Sequence, residues 1–155
     1  MRFLLLTIYG FLWCVEGRGQ AALIDSLGMR YLQFTFNGMP VDVLVASAKG
    51  EETVRKPVLF FCQGSMAQPL IKNSDEGLYG VFPFKTSIFT AQYHLVIVGK
   101  PAVPLAGHAR DLSGSFVYFD EKGHLPEGYV VNNHPDFYVS RNLFLLKKLQ
   151  QMSWV

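Results

Sequence analysis

Hydrophobic and polar positions change their rhythm several times along this chain. Residues 30–36 (RYLQFTF) alternate and are rich in strand-forming side chains. Asn37-Gly38 follows, a pair that favours the two-residue hairpin turn because both positions tolerate positive φ. Residues 41–46 (VDVLVA) resume the alternation, so 30–46 reads as an antiparallel hairpin. Residues 49–56 (KGEETVRK) form a charged connection. Residues 57–62 (PVLFFC) are continuously apolar, which fits a strand covered on both sides. A second such run, 93–98 (YHLVIV), lies about 35 residues further on, and this spacing predicts a parallel pair in an α/β sheet. The stretch 68–92 between them holds a short helix at most.

Breakers recur through 102–135, at Pro104, Gly107, Gly114, Gly123, Pro126 and Gly128, and predict a long loop. Pro135 suits the first turn of a helix. Val139, Leu143, Leu146 and Leu149 then recur at helical spacing and predict a helix to about Met152 with those four on its apolar face.

The N-terminus has a different logic. Met1-Arg2 gives a positive start, residues 3–15 are thirteen uncharged residues, and Gly19-Gln20-Ala21 offers small residues at a cleavage position. This is the layout of a secretory signal peptide over 1–21, leaving a mature domain over 22–155. The apolar run is shorter than the roughly 20 residues of a spanning helix. The expectation is a secreted or periplasmic protein with no stable membrane anchor after signal removal. Trp13 before Cys14 argues against a lipoprotein, whose acceptor Cys follows a small residue. Cys62 is then the one cysteine of the mature chain, so no internal disulfide forms. Within its apolar run it reads as a small buried hydrophobe.

Composition narrows the function. The chain has 155 residues, half of them hydrophobic and 17% charged, with a net charge of +2. That describes one globular domain. Basic residues are dispersed, which speaks against a nucleic-acid partner. His94, His108, His124 and His134 lie far apart and make no metal-ligand spacing, and no cofactor motif is present. His94 sits in an apolar strand and reads as a structural histidine.

The order hairpin, apolar strand, Gln63-Gly64-Ser65, second apolar strand, loop and helix resembles the first half of the α/β-hydrolase fold. The segments LFFCQGS, YHLVIVGKP and YVSRNLFLLKKLQ are similar to secreted bacterial proteins of the dienelactone-hydrolase and peptidase-like branches, over about residues 30–155. The resemblance implies an α/β fold with an N-terminal β-hairpin, buried parallel strands and a crossover helix. It implies a serine hydrolase acting on a small ester or peptide substrate. Such enzymes present a nucleophilic Ser in Gly-x-Ser-x-Gly on a tight turn, and no Gly of this chain is followed two positions later by Ser. The expected elbow lies beyond Val155, and the portion in hand is expected to be inactive alone.

By position, the resemblance gives Ser65 the oxyanion-hole N–H that comes from the loop after a strand, with Gly64 letting the backbone approach. Gln63 and Met66 would line the substrate pocket. Gln63 stands where the family turn carries His. Ser65 is also a candidate nucleophile in its own right, with His108, His124 or His134 as base. A bulky Gln63 in place of Gly weighs against that reading. An alternative from a different class is a small secreted binding or interaction module without catalysis.

Overall fold

A computed structural model describes residues 24–155; the expected signal peptide lies outside the described residues. Two strands open the fold, β1 (Met29–Phe36) and β2 (Met39–Ala46), paired antiparallel with Phe36 opposite Met39. Asn37 and Gly38 form the turn with φ of 51° and 76°. This is the left-handed geometry that Asn and Gly accept at least cost.

β3 (Val58–Cys62) and β6 (His94–Val98) are parallel and adjacent, with Val58 opposite His94. β2 pairs antiparallel with the other side of β6, giving the order β1-β2-β6-β3. A second sheet, ordered β5-β4-β7, is built from β4 (Ile71–Ser74), β5 (Gly77–Gly80) and β7 (Ala106–His108). Three helices lie wholly among the described residues: α1 (Ser87–Thr90), α2 (Glu127–Asn132) and α3 (Pro135–Leu149).

β6 is buried throughout, and its alternation splits the core in two. Leu95 and Ile97, with Leu44 and Ala46 of β2, meet Leu70, Ile71 and Leu105 from the second sheet and its flanks. Val96 and Val98, with Val41, Val43 and Val45, meet Leu145 and Leu149 of α3 and Trp154. Burying an aliphatic side chain of this size contributes about 1.5–3 kcal/mol.

This architecture corrects the expected α/β-hydrolase fold. Three of the five strand pairs among the described residues are antiparallel. Doubly wound α/β sheets carry helices on both faces; here one face of the larger sheet is covered by another small sheet. No crossover helix joins the parallel strands. The connection from β3 to β6 contains the β4-β5 hairpin and the single turn of α1. The reason lies in residues 71–80. Two four-residue runs, IKNS and GLYG, flank the turn Asp75-Glu76, and Gly77 at φ 122° completes the reversal, so the segment pairs with itself and with β7. Tight turns of this kind defeat a helical reading.

Other local expectations change for similar reasons. β3 forms the sheet edge, half-buried, where a strand covered on both faces was expected. The segment 102–135 carries β7, a 3₁₀ turn at Ala109–Asp111 and α2. One of its glycines is required by packing: a Cβ on Gly128 would lie 2.8 Å from the Cβ of Ala102, so α2 lies close against the turn that follows β6 because residue 128 has no side chain. α3 begins at Pro135, as its sequence suggests, but buries Phe137, Arg141, Leu145 and Leu149, while Val139 and Leu143 are exposed. The helix is turned so that an arginine occupies the inward stripe.

That rotation is testable. Leu145→Ala is expected to cost about 2–5 kcal/mol, the range for truncating a fully buried leucine. Leu143→Ala, on the same helix but 55% exposed, is expected to cost under about 0.5 kcal/mol. Urea denaturation of both variants checks it, and equal losses would refute the observed face.

Candidate functional site

Gln63, Gly64 and Ser65 leave the carboxyl end of β3, and Gly99 and Lys100 leave the neighbouring end of β6. Parallel strands carry their backbones in the same direction, so these two exits lie side by side. The first turns of α3 cross beside them. Together they line a cavity of about 330 Å³, with Tyr138, Arg141 and Asn142 as the α3 wall and Val98, Pro135 and Val139 as its apolar part.

Two cations dominate the lining. Lys100 and Arg141 are 8% and 3% exposed. Arg141 donates to the Gly99 carbonyl at 2.8 Å and, through Nε and a terminal nitrogen, to Oδ1 of Asn142 at 3.1 and 2.9 Å. Three hydrogen bonds leave two of its five N–H donors unassigned. Lys100 Nζ donates to the Gln63 carbonyl at 3.3 Å. Both charges lie close to the Tyr138 ring, Lys100 Nζ at 4.7 Å and Arg141 Cζ at 4.9 Å from its centroid. No acidic residue lines the cavity among the described residues.

Burial lowers the Lys100 ammonium from its ordinary value to about 8, and the nearby Arg141 charge adds to the effect. Burial also holds Arg141 below its usual value. Tyr138 is pushed up to about 12, chiefly by burial, so its hydroxyl stays protonated and donates to Asn133 Oδ1 at 2.8 Å.

The turn carrying Ser65 is fixed from α2. The Tyr129 hydroxyl donates to the Ser65 carbonyl, and Asn133 Nδ2 reaches the same oxygen at 3.4 Å. A Cβ placed on Gly64 meets nothing within 4 Å, so the backbone there is open. The Ser65 N–H has no acceptor among the described residues.

Of the residues singled out from sequence, Gln63, Gly64 and Ser65 share this cavity, while Met66 is exposed and lies outside its lining. Cys62 is exposed at the strand end, its Sγ 3.3 Å from Asn142 Nδ2, and is not the buried hydrophobe expected. No histidine lines the cavity among the described residues. His134 caps α3 by accepting from the Phe137 N–H at 3.4 Å, and His108 accepts from the Arg110 N–H at 3.2 Å. His94 is wholly buried, bonded through Nδ1 to Ser47 and through Nε2 to the Val54 carbonyl, both at 2.7 Å. Ser65 therefore has no imidazole base beside it there. No cluster of three His, Cys, Asp or Glu side chains is disposed to hold a metal among the described residues.

Sequence reasoning missed Lys100, Tyr138, Arg141 and Asn142. Lys100 had a signal: it follows a fully apolar strand by one glycine, where a strand end opens a crevice.

No family model matches the chain, and neither a curated protein nor a solved structure matches it. The hydrolase resemblance accordingly rests on the segments quoted for it alone.

The shifted lysine gives a pH signature. Its charge penalty is fully present below about pH 8. Between pH 8 and 10 the unfolded chain keeps the Lys100 proton that the folded chain has lost, so stability rises with pH through this window. Lys100→Met removes that rise. The stability of wild type relative to the variant is expected to increase by about 2 kcal/mol from pH 8 to 10. Urea midpoints at pH 7, 8, 9 and 10 measure it; parallel curves would contradict a desolvated ammonium.

Proposed function

We propose that this protein is a binding module that takes a small carboxylate-bearing molecule in the cavity at the carboxyl ends of β3 and β6. The observation carrying the proposal is the pair of buried cations, Lys100 and Arg141, on a lining without an acidic residue among the described residues. A buried cation without a counter-charge is costly, and an anion that also satisfies its spare N–H donors offsets the cost. Lys100 uses one of three donors and Arg141 three of five, so both retain capacity for a carboxylate. The apolar wall of Val98, Pro135 and Val139 favours a ligand with a short hydrocarbon part.

Isothermal calorimetry with benzoate and lactate against the full chain tests this. Saturable binding is expected, and Lys100→Met is expected to weaken it at least about tenfold, the equivalent of about 1.4 kcal/mol. Equal affinity in the variant, or no heat in wild type, rejects the proposal.

A second reading is a part in ester or peptide-bond hydrolysis, and the unbonded Ser65 N–H beside the open backbone of Gly64 favours it. An N–H so placed stabilises a developing oxyanion, an effect worth about 10²–10³ in rate when a nucleophile is present. With no base beside Ser65, the chain alone is expected to leave p-nitrophenyl acetate at its background rate. Turnover lost in Ser65→Ala would instead make Ser65 the nucleophile.

A further inference from the structure

We propose that Lys100 forms an imine with a 2-oxo acid bound in this cavity, its ε-amine adding to the ketone while Arg141 holds the adjacent carboxylate. The proposal rests on the carboxylate-binding reading above and names the ligand class. Both cations lie within 5 Å of the one Tyr138 ring, and both line one cavity of about 330 Å³. A 2-oxo acid carries its carbonyl carbon one bond from its carboxylate, so one small molecule presents an electrophile to Lys100 and an anion to Arg141. Their chemistries divide the work. Arg keeps its charge and offers a planar set of N–H donors, whereas Lys becomes a nucleophile once it sheds a proton.

The step balances without an oxidant. Lys100 first loses a proton to solvent. Its lone pair attacks the carbonyl carbon, the C–N bond forms as the C=O π bond breaks, and a proton passes from the nitrogen to the new alkoxide oxygen to give a neutral carbinolamine. The nitrogen lone pair then expels the hydroxyl, which takes a proton from solvent and leaves as water, giving a protonated C=N bond; hydrolysis reverses the sequence. Two effects favour the free amine, desolvation first and the Arg141 charge second, and they bring the ammonium to about 8. Cys62 at the end of β3 acts in the opposite sense and is outweighed, and the Tyr138 ring from α3 packs beside the ammonium. A lysine so placed is an appreciable amine near neutral pH, unlike an exposed one.

The test uses the full chain with pyruvate and cyanoborohydride, which reduces an imine to a stable amine. Intact-mass and peptide mapping are expected to find one reduced pyruvyl group, on Lys100, with labelling that rises to a plateau above about pH 8. Lactate, which has the carboxylate but no ketone, is expected to compete without being incorporated. Arg141→Lys is expected to raise the pyruvate concentration for half-maximal labelling at least about tenfold. The ratio of pyruvate to acetone labelling is expected to fall at least about tenfold in that variant, because acetone has no carboxylate to lose contact with Arg141, whereas general loosening of the fold lowers both labels together. Adducts scattered over exposed lysines such as Lys147, with none on Lys100, overturn the imine. If pyruvate still binds by calorimetry in that case, the carboxylate site stands and only the covalent step fails. Absence of both binding and Lys100 labelling removes the site itself.

Discussion

The two-sided burial of β6 is the constraint on which the rest of this structure depends. Its five residues, His94–Val98, are all buried, and they have paired strands on either side and covering layers above and below. No arrangement of β1, β2 and β3 alone satisfies that, because a sheet has two faces. α3 covers the Val96-Val98 face and the second sheet covers the Leu95-Ile97 face. Even the polar residue at its start conforms: both ring nitrogens of His94 find partners, and its ring packs edge-on against Trp154 at 4.9 Å. Where burial is this complete, a polar group is retained only if every hydrogen bond is made.

The same constraint creates the cavity. β6 ends at Val98, and the chain must leave the core there. Gly99 remains bonded to the Asp42 carbonyl at 2.8 Å, its N–H donating across to β2, while its own carbonyl receives Arg141. Lys100 thus emerges next to the parallel exit of β3 with its stem still inside, and the long apolar part of a lysine tolerates this better than its charge does. Arg141 ties α3 to the strand end. If α3 turned to bury Val139 and Leu143, that anchor would be lost and the second cation would leave the cavity wall.

The legible parts of the sequence were those where one local signal sufficed. Asn37-Gly38 marked the hairpin, the runs 57–62 and 93–98 marked two neighbouring parallel strands, and Pro135 marked the start of α3. The misread parts are those where tertiary context decides. In α3 two apolar stripes compete, and counting apolar residues favoured Val139 and Leu143. The true stripe contains Arg141, whose burial depends on a carbonyl contributed by β6. In 71–80 the polar residues Lys72, Asn73 and Ser74 disguised a strand whose partner, β7, lies more than thirty residues away. The hydrolase fold was inferred from element order, and order does not say whether a helix or a sheet fills the space over β6. For the site, Gln63, Gly64 and Ser65 were legible as a strand-end turn. The cationic half came from α3 and from the residue after Gly99, which only the folded chain brings to the same place.

Lys100 and Arg141 repel each other beside the Tyr138 ring, and burial disfavours the charged form of each, so on stability grounds alone the pair is unfavourable. Core packing does not require it: an uncharged side chain of similar length at position 100 would fill the same space without the charge. A structural explanation serves Arg141, whose bond to the Gly99 carbonyl fixes α3, but it serves Lys100 poorly. Lys100's one hydrogen bond, at 3.3 Å, is long, and its carbonyl partner carries no charge. A group that costs stability and contributes little to the fold is better explained by what it binds than by what it holds together. Lys100, more than any residue of the Gln63-Gly64-Ser65 turn, is therefore the residue that points to a ligand in this cavity.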